Sequence, residues 1–216
     1  MKVLLFANGA ISQGAALRRA LAEADGTRII CADGGALHAR ALGLQPHTII
    51  GDLDSLTAAE VANFRAAGSQ VLSFPAEKDE TDLELALLHC REIGAKSVTI
   101  IGALGGRFDQ TVANLYLLTL PAISGMRIIL VDGDQTVRVL SPGIHSLEGE
   151  AGDTISLIPL SASADGIRTH NLKYPLNDES LLQGPARGIS NVMLAERAEV
   201  SFRQGRLLLV HSAGRA

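Results

Sequence analysis

The 216-residue chain reads as an α/β protein with a β-rich C-terminal domain, on three observations. Up to about residue 120, short apolar runs alternate with segments of helical periodicity, the pattern of a Rossmann-like, mostly parallel sheet with flanking helices. Pro121 ends that series. From Met126 onward the helical period disappears, and short strands punctuated by Gly and Pro suggest a small antiparallel β-sandwich. The domains are expected at residues 1–130 and 131–216.

The first strand is Lys2 to Ala7, closed by an Asn8-Gly9 turn. Ser12 stands where it caps a helix reaching about Ala24, with Ala16, Leu17, Ala20 and Leu21 on one apolar face. A strand at 28–32 precedes a helix near 36–42, and Gly43 suits the left-handed residue after a helix. Strand 48–50 leads to helix 57–67, Gly68 and strand 70–74. In helix 80–93, Leu83, Ala86, Leu87 and Cys90 keep helical spacing. Asp79 and Asp82, three apart at its start, resemble a capping box with Asp in place of Glu. Strand 97–101 and helix 109–119 follow. Strand 127–131 fits either domain's sheet, and further strands fall at 135–140, 144–147, 154–159, 199–202 and 207–211. Gln204-Gly205-Arg206 reads as a hairpin turn, and Asp165 to Arg187 as a polar loop.

Composition narrows the function. With 47% hydrophobic residues the chain has material for a full core, and 19% charged residues is too few for a disordered chain. Net charge is −4, and the absence of a Lys/Arg run argues against nucleic acid or a membrane surface as partner. Cys31 in a strand and Cys90 in an apolar helix lack metal-ligand spacing and read as buried thiols. Met1 to Phe6 shows no signal-peptide pattern and no apolar run is long enough to span a bilayer, so a cytoplasmic location is expected.

The chemistry concentrates where strands end. Thr48-Ile49-Ile50-Gly51 is a buried strand, and Asp52-Leu53-Asp54-Ser55 follows it. Alone, these aspartates serve equally well as caps of the next helix or as ligands for a hard cation such as Mg²⁺. Recurrence favours the second reading. Strand 28–32 ends in Asp33-Gly34-Gly35, strand 70–74 leads into Lys78-Asp79-Glu80-Thr81-Asp82, and strand 97–101 is followed by Gly105-Gly106-Arg107-Phe108-Asp109. In a parallel sheet these four junctions share one edge. Acids collected there beside Lys78 and Arg107 suit a metal–polyphosphate site. Walker-A, Gly-x-Gly-x-x-Gly, His-Glu-x-x-His and Gly-x-Ser-x-Gly patterns are all missing, which argues against zinc hydrolysis and serine-esterase chemistry.

Six segments together resemble the thiamine pyrophosphokinases. They are Ala32-Asp33-Gly34-Gly35-Ala36, Gly51-Asp52-Leu53-Asp54-Ser55, Lys78-Asp79-Glu80-Thr81-Asp82, Gly105-Gly106-Arg107-Phe108-Asp109-Gln110 with Asn114, Leu172-Lys173-Tyr174-Pro175-Leu176, and Gly188-Ile189-Ser190-Asn191. The resemblance implies transfer of a diphosphoryl group from ATP to the thiamine hydroxyl, releasing AMP. It further implies an α/β catalytic domain, a β domain that helps bind thiamine, and a homodimer with composite active sites. Carried over, Asp52, Asp54, Asp82 and Asp109 become the catalytic acids, the first three also holding Mg²⁺. Asp33, Lys78, Asp79, Thr81, Arg107 and Gln110 become ATP contacts, and Asn114, Tyr174, Ser190 and Asn191 thiamine contacts. Tyr174, in a chain without Trp, fits equally a face for the thiazolium cation and an ordinary half-buried strand tyrosine. Three positions depart from the family: Gln110 where His is common, Val192 where an acid is frequent, and Asn171 where Gly is common, although Asn tolerates a left-handed backbone. Two other readings compete. Asp52-Leu53-Asp54-Ser55 after a strand also resembles the nucleophile loop of haloacid-dehalogenase-like phosphatases, and a non-catalytic nucleotide- or thiamine-binding regulator would use the same fold.

Overall fold

The computed structural model describes residues 1–214, in two compact units, Met1–Gly133 and Asp134 onward. In the first, strand and helix alternate: β1 (Lys2–Phe6), α1 (Ala15–Ala22), β2 (Arg28–Ala32), α2 (Gly35–Ala41), β3 (Thr48–Gly51), α3 (Ala58–Ala66), β4 (Gln70–Ser73), α4 (Asp82–Glu92), β5 (Ser97–Ile101), α5 (Phe108–Leu117) and β6 (Arg127–Asp132). Its six strands are parallel, in the order β6-β5-β1-β2-β3-β4. The strands are apolar throughout because helices cover both faces. Leu4, Phe6, Ile29, Cys31 and Ile49 pack with Leu17 of α1, Ala36 and Ala39 of α2 and Phe64 of α3. Leu5, Ile30 and Ile50, one position out of step and also buried, turn to the opposite face. There α4 lies on β2 and β3 with Leu83, Ala86, Leu87 and Cys90 buried. Each fully buried Leu or Ile contributes about 1.5–3 kcal/mol. The strand order reverses between β1 and β5, and in open α/β sheets such a reversal opens a crevice at the carboxyl edge.

The second unit holds β7 (Gln135–Leu140), β8 (Gly143–Glu148), β9 (Thr154–Pro159), β10 (Ser163–His170), β11 (Asn177–Leu182), β12 (Asn191–Val192), β13 (Arg197–Phe202) and β14 (Leu207–Ser212). Antiparallel strands β12-β9-β14-β7 form one layer and β11-β10-β13-β8 the other. Leu157, Leu207 and Leu209 from the first meet Leu147, Ile167, Val200 and Phe202 from the second. The α/β class with an added antiparallel sandwich is therefore as the sequence predicts, and β6 joins the parallel sheet through β5.

Four local expectations are corrected. Ser12 caps nothing: α1 starts at Ala15 behind Gly14, and the Ser12 amide donates to Asp132 Oδ1 at 3.2 Å. The Asp79–Asp82 capping box does not form, because Thr81 takes the cap position and its hydroxyl accepts from the Glu84 amide at 3.2 Å. Asp165 to Arg187 is not a loop but contains most of β10 and all of β11. Apolar residues there are sparse, a register shift after Ala164 breaks the period in β10, and β11 opens with four polar residues before Leu181 and Leu182. Gln204 to Arg206 is not a hairpin turn: β13 pairs with β8 and β10, whereas β14 pairs with β7 and β9, so the turn passes from one layer to the other.

Candidate active site

At the carboxyl edge of the parallel sheet, the loops after β1, β2, β3 and β5 and the start of α4 enclose a cleft of about 580 Å³. Asp33, Asp52, Asp54, Lys78, Thr81, Asp82, Arg107, Gln110 and Asn114 line it. Of the eleven expected site residues in this unit these nine line the cleft, and Asp79 and Asp109 are the two outside the lining.

Asp33, Asp52 and Asp82 form the centre, each offering a carboxylate oxygen within 4.8 Å of the others. Three different stretches of chain supply them. Asp33 follows β2 with φ 44°, a left-handed value that Asp tolerates. Asp52 follows Gly51, whose φ is 149° and whose missing Cβ matters: a Cβ would sit 2.9 Å from Asp82 Cγ. Asp82 opens α4, released from capping by Thr81. Leu53, between the two aspartates of its loop, is also left-handed at φ 65°, a conformation that costs an L-residue about 1–2 kcal/mol. Its side chain packs against the apolar core, and the turn brings the Asp54 amide 3.2 Å from Asp52 Oδ1.

The acids crowd one another. Lys78 Nζ lies 3.0 Å from Asp82 Oδ1 and 3.5 Å from Asp52 Oδ2, and donates to the Pro75 carbonyl at 3.1 Å. Burial works against its charge, yet Asp82 and Asp52 together raise its pKa. For Asp82, burial raises the pKa, Lys78 pulls it down, and Asp52 and Asp33 push it up again, with a net rise. A single ammonium thus leaves the cluster short of positive charge. Three hard oxygen donors with that deficit fit a divalent cation bound through oxygen. Asp54 lines the cleft but stands outside the trio, its carboxylate accepting from Ser55 Oγ at 3.2 Å. The cluster therefore takes Asp33 where the expected metal set has Asp54.

The remaining positions divide. Asn114 is buried and donates to the Ala103 carbonyl at 2.8 Å, holding the loop after β5. Arg107 and Asp109 form an exposed bidentate pair, with Nε–Oδ1 at 3.1 Å and Nη2–Oδ2 at 2.5 Å. The hydrogen bonds from Arg107 hold the Asp109 carboxyl below its ordinary range. So Asp109 is engaged with Arg107 and does not join the carboxylate trio. In the second unit, Tyr174 is 59% exposed and lies between strands, with Lys173 Nζ 5.5 Å from its ring centre. Asn191 accepts from the Tyr174 amide at 2.9 Å and donates to its carbonyl at 2.7 Å, so its side chain braces that loop. The Ser190 amide donates to Ser156 Oγ at 3.1 Å. Asn171 has φ 58°, the left-handed backbone expected where glycine is usual.

Asn8 and Gly9 also line the cleft, although the sequence presents them only as a turn. The Gly9 amide donates to the Gly102 carbonyl at 2.8 Å, tying the loops on either side of the strand-order reversal. The available signal was position: β1 is a fifth strand ending on the edge where the four acidic junctions lie.

Comparison with known proteins meets this geometry. Residues 20–130 match the model for the thiamin pyrophosphokinase catalytic domain, and residues 144–207 that for the thiamin pyrophosphokinase vitamin B1 binding domain. The chain belongs to the thiamin pyrophosphokinase family. It is 32% identical to the thiamine pyrophosphokinase of Bacillus subtilis over 171 residues, covering 79% of this chain and 80% of that one. It is 31% identical to thiamine pyrophosphokinase 2 of Oryza sativa over 166 residues, covering 72% of this chain but 61% of the longer plant protein. The crystal structure of the B. subtilis protein superposes with a TM-score of 0.87 at 30% identity over 99% of both chains. That of the thiamin pyrophosphokinase from Geobacillus thermodenitrificans gives 0.84 at 28% identity, over 99% of this chain and 98% of that one.

Proposed function

We propose that the protein transfers the diphosphoryl group of ATP to the hydroxyl of thiamine, giving thiamine diphosphate and AMP. The observation that carries this reading is the convergence of Asp33, Asp52 and Asp82 around Lys78, in a cleft at the strand-order reversal of a thiamin pyrophosphokinase-family chain. In the transfer, the thiamine oxygen attacks the β-phosphorus, the bond from that phosphorus to the bridging oxygen breaks, and the bridging oxygen leaves with AMP. The hydroxyl proton passes to a base, for which the cleft's carboxylates are the candidates.

The trio of aspartates, with Asp54 beside it, is our proposed Mg²⁺ site. Bound there, the ion supplies charge neutralisation to the triphosphate oxygens. Lys78 and Arg107 add fixed positive charge against the oxygen that leaves, and Thr81 and Gln110 contribute hydrogen bonds that orient the nucleotide. Alignment rather than a covalent intermediate accounts for much of the rate. Asp109 orients Arg107, with which it is paired, rather than binding metal. Asp79, exposed and outside the cleft lining, contributes negative charge at its rim. Asn114 fixes the loop that carries Arg107. Ser190, Asn191 and Tyr174 are assigned to thiamine, Tyr174 offering an exposed ring for the thiazolium cation. The match of residues 144–207 to a vitamin B1 binding domain supports that assignment. Among the described residues no helix is long and apolar enough to cross a membrane; the cytoplasmic location is our reading of the sequence alone. A homodimer is proposed from the family resemblance.

The test is product analysis after incubation with labelled ATP, thiamine and Mg²⁺. AMP and thiamine diphosphate in equal amounts are expected. Free phosphate would instead indicate a phosphatase, and binding without turnover a regulator.

A further inference from the structure

Asn8 lies outside every segment that carries the family resemblance, yet it connects three loops of the cleft. Its Nδ2 donates to Ser55 Oγ at 2.9 Å and to Asp33 Oδ2 at 3.5 Å. The Ser55 amide donates to Asp33 Oδ1 at 3.4 Å, and Ser55 Oγ donates to Asp54 Oδ1 at 3.2 Å. One amide therefore ties the loop after β1 to those after β2 and β3. Its orientation follows from chemistry, since the carbonyl end turned toward Asp33 would face a carboxylate.

Room for this side chain has been kept. Gly34 has φ −60°, a helical value open to any residue, but a Cβ there would lie 2.3 Å from Asn8 Oδ1. A side chain at position 34 would therefore displace the Asn8 amide, although the backbone would accept it.

We propose that Asn8 is a positioning residue for the cation site. As a neutral donor it fixes Asp33 and the Asp54–Ser55 loop, keeping the Asp33 carboxylate in register with those of Asp52 and Asp82. An acid at this position would add to the charge already crowded there, and a lysine would compete with the cation. The inference rests on the reading of that trio as a divalent-cation site.

Replacing a group that orients metal ligands typically weakens metal affinity about 10–100-fold. Asn8→Ala is therefore expected to raise the Mg²⁺ concentration for half-maximal turnover at least about tenfold. Mn²⁺ affinity of the protein, read by electron paramagnetic resonance, should fall by a similar factor. The unfolding midpoint should stay unchanged, because Asn8 is exposed. Ser55→Ala should act in the same direction, and the double variant should lose less than the product of the two, since both remove one hydrogen bond. Equal Mg²⁺ dependence and Mn²⁺ affinity in Asn8→Ala and wild type would overturn the proposal while leaving the transfer reaction intact. A wild type that makes no thiamine diphosphate would remove the proposed function instead. The Mn²⁺ titration then decides alone: a tenfold loss upholds the brace, and equal affinity overturns it. A wild type that binds no Mn²⁺ overturns both.

Discussion

At the scale of single residues, Asp52 and Asp82 share one counter-ion, Lys78, in a confined space, so each aspartate has a separable consequence. Asp52→Asn keeps the shape and removes a charge. Turnover should fall at least about a hundredfold, the scale of losing an electrostatic group in a site, with the unfolding midpoint nearly unchanged in a thermal scan. For Asp82 a stability effect is expected as well. Burial, followed by the neighbouring acids, raises its folded pKa above 3.8 despite Lys78. Between 3.8 and the folded value the native state binds more protons than the unfolded one. Stability therefore falls as pH rises through that window and stays reduced above it. Asp82→Asn removes this cost, so the metal-free variant should melt higher than wild type at neutral pH while turnover drops about a hundredfold. A lower melting point for Asp82→Asn would mean that the aspartate stabilises the fold. Much of this trio was legible in the sequence because an acid at the end of a β-strand is conspicuous and parallel strands end on one edge. What escaped was the exchange of Asp54 for Asp33 in the cluster, since it depends on the left-handed turn at Leu53, a residue with no propensity for it. Asn8 escaped because a polar turn residue after a strand is ordinary.

At the scale of elements, α4 does different work at its two ends. Its first residue, Asp82, is free for the cleft because Thr81 takes the cap, whereas the three-residue spacing of Asp79 and Asp82 in the sequence suggests a capping box. Its last turn carries His89, half-buried, with Nδ1 3.8 Å from Glu92 and Arg28 nearby. Burial lowers the His89 pKa, Glu92 opposes this, and Arg28 adds to it, with a net fall from 6.5. A histidine held neutral in the fold lends stability that is fully present above 6.5 and is lost as pH drops through the window below. Urea unfolding should show this loss in wild type, and His89→Gln, neutral at every pH, should flatten it. An equally steep pH dependence in the variant would place its origin elsewhere. The apolar strands of the first unit were plain in the sequence because burial on both faces leaves nothing else to read. β10 and β11 were not, because one of their faces is solvated and a register shift interrupts the alternation of Ala164, Ile167 and Thr169 with polar residues.

At the scale of the whole molecule, the two units match two separate family models, and each unit carries part of the proposed function. Ser190→Ala should raise KM for thiamine several-fold and leave KM for ATP unchanged; an effect confined to ATP would contradict the assignment of thiamine contacts to the second unit. The order of six short segments along the chain made the family legible, whereas no sequence pattern records which side chains already have partners. Asn191, committed to the Tyr174 backbone, and Asp109, committed to Arg107, are known only from coordinates. The most direct test is an anomalous-difference map from crystals grown with Mn²⁺, a non-hydrolysable ATP analogue and thiamine. The peak is predicted among Asp33, Asp52 and Asp82, with the β- and γ-phosphates against it. A cation and triphosphate bound away from that trio would contradict the account.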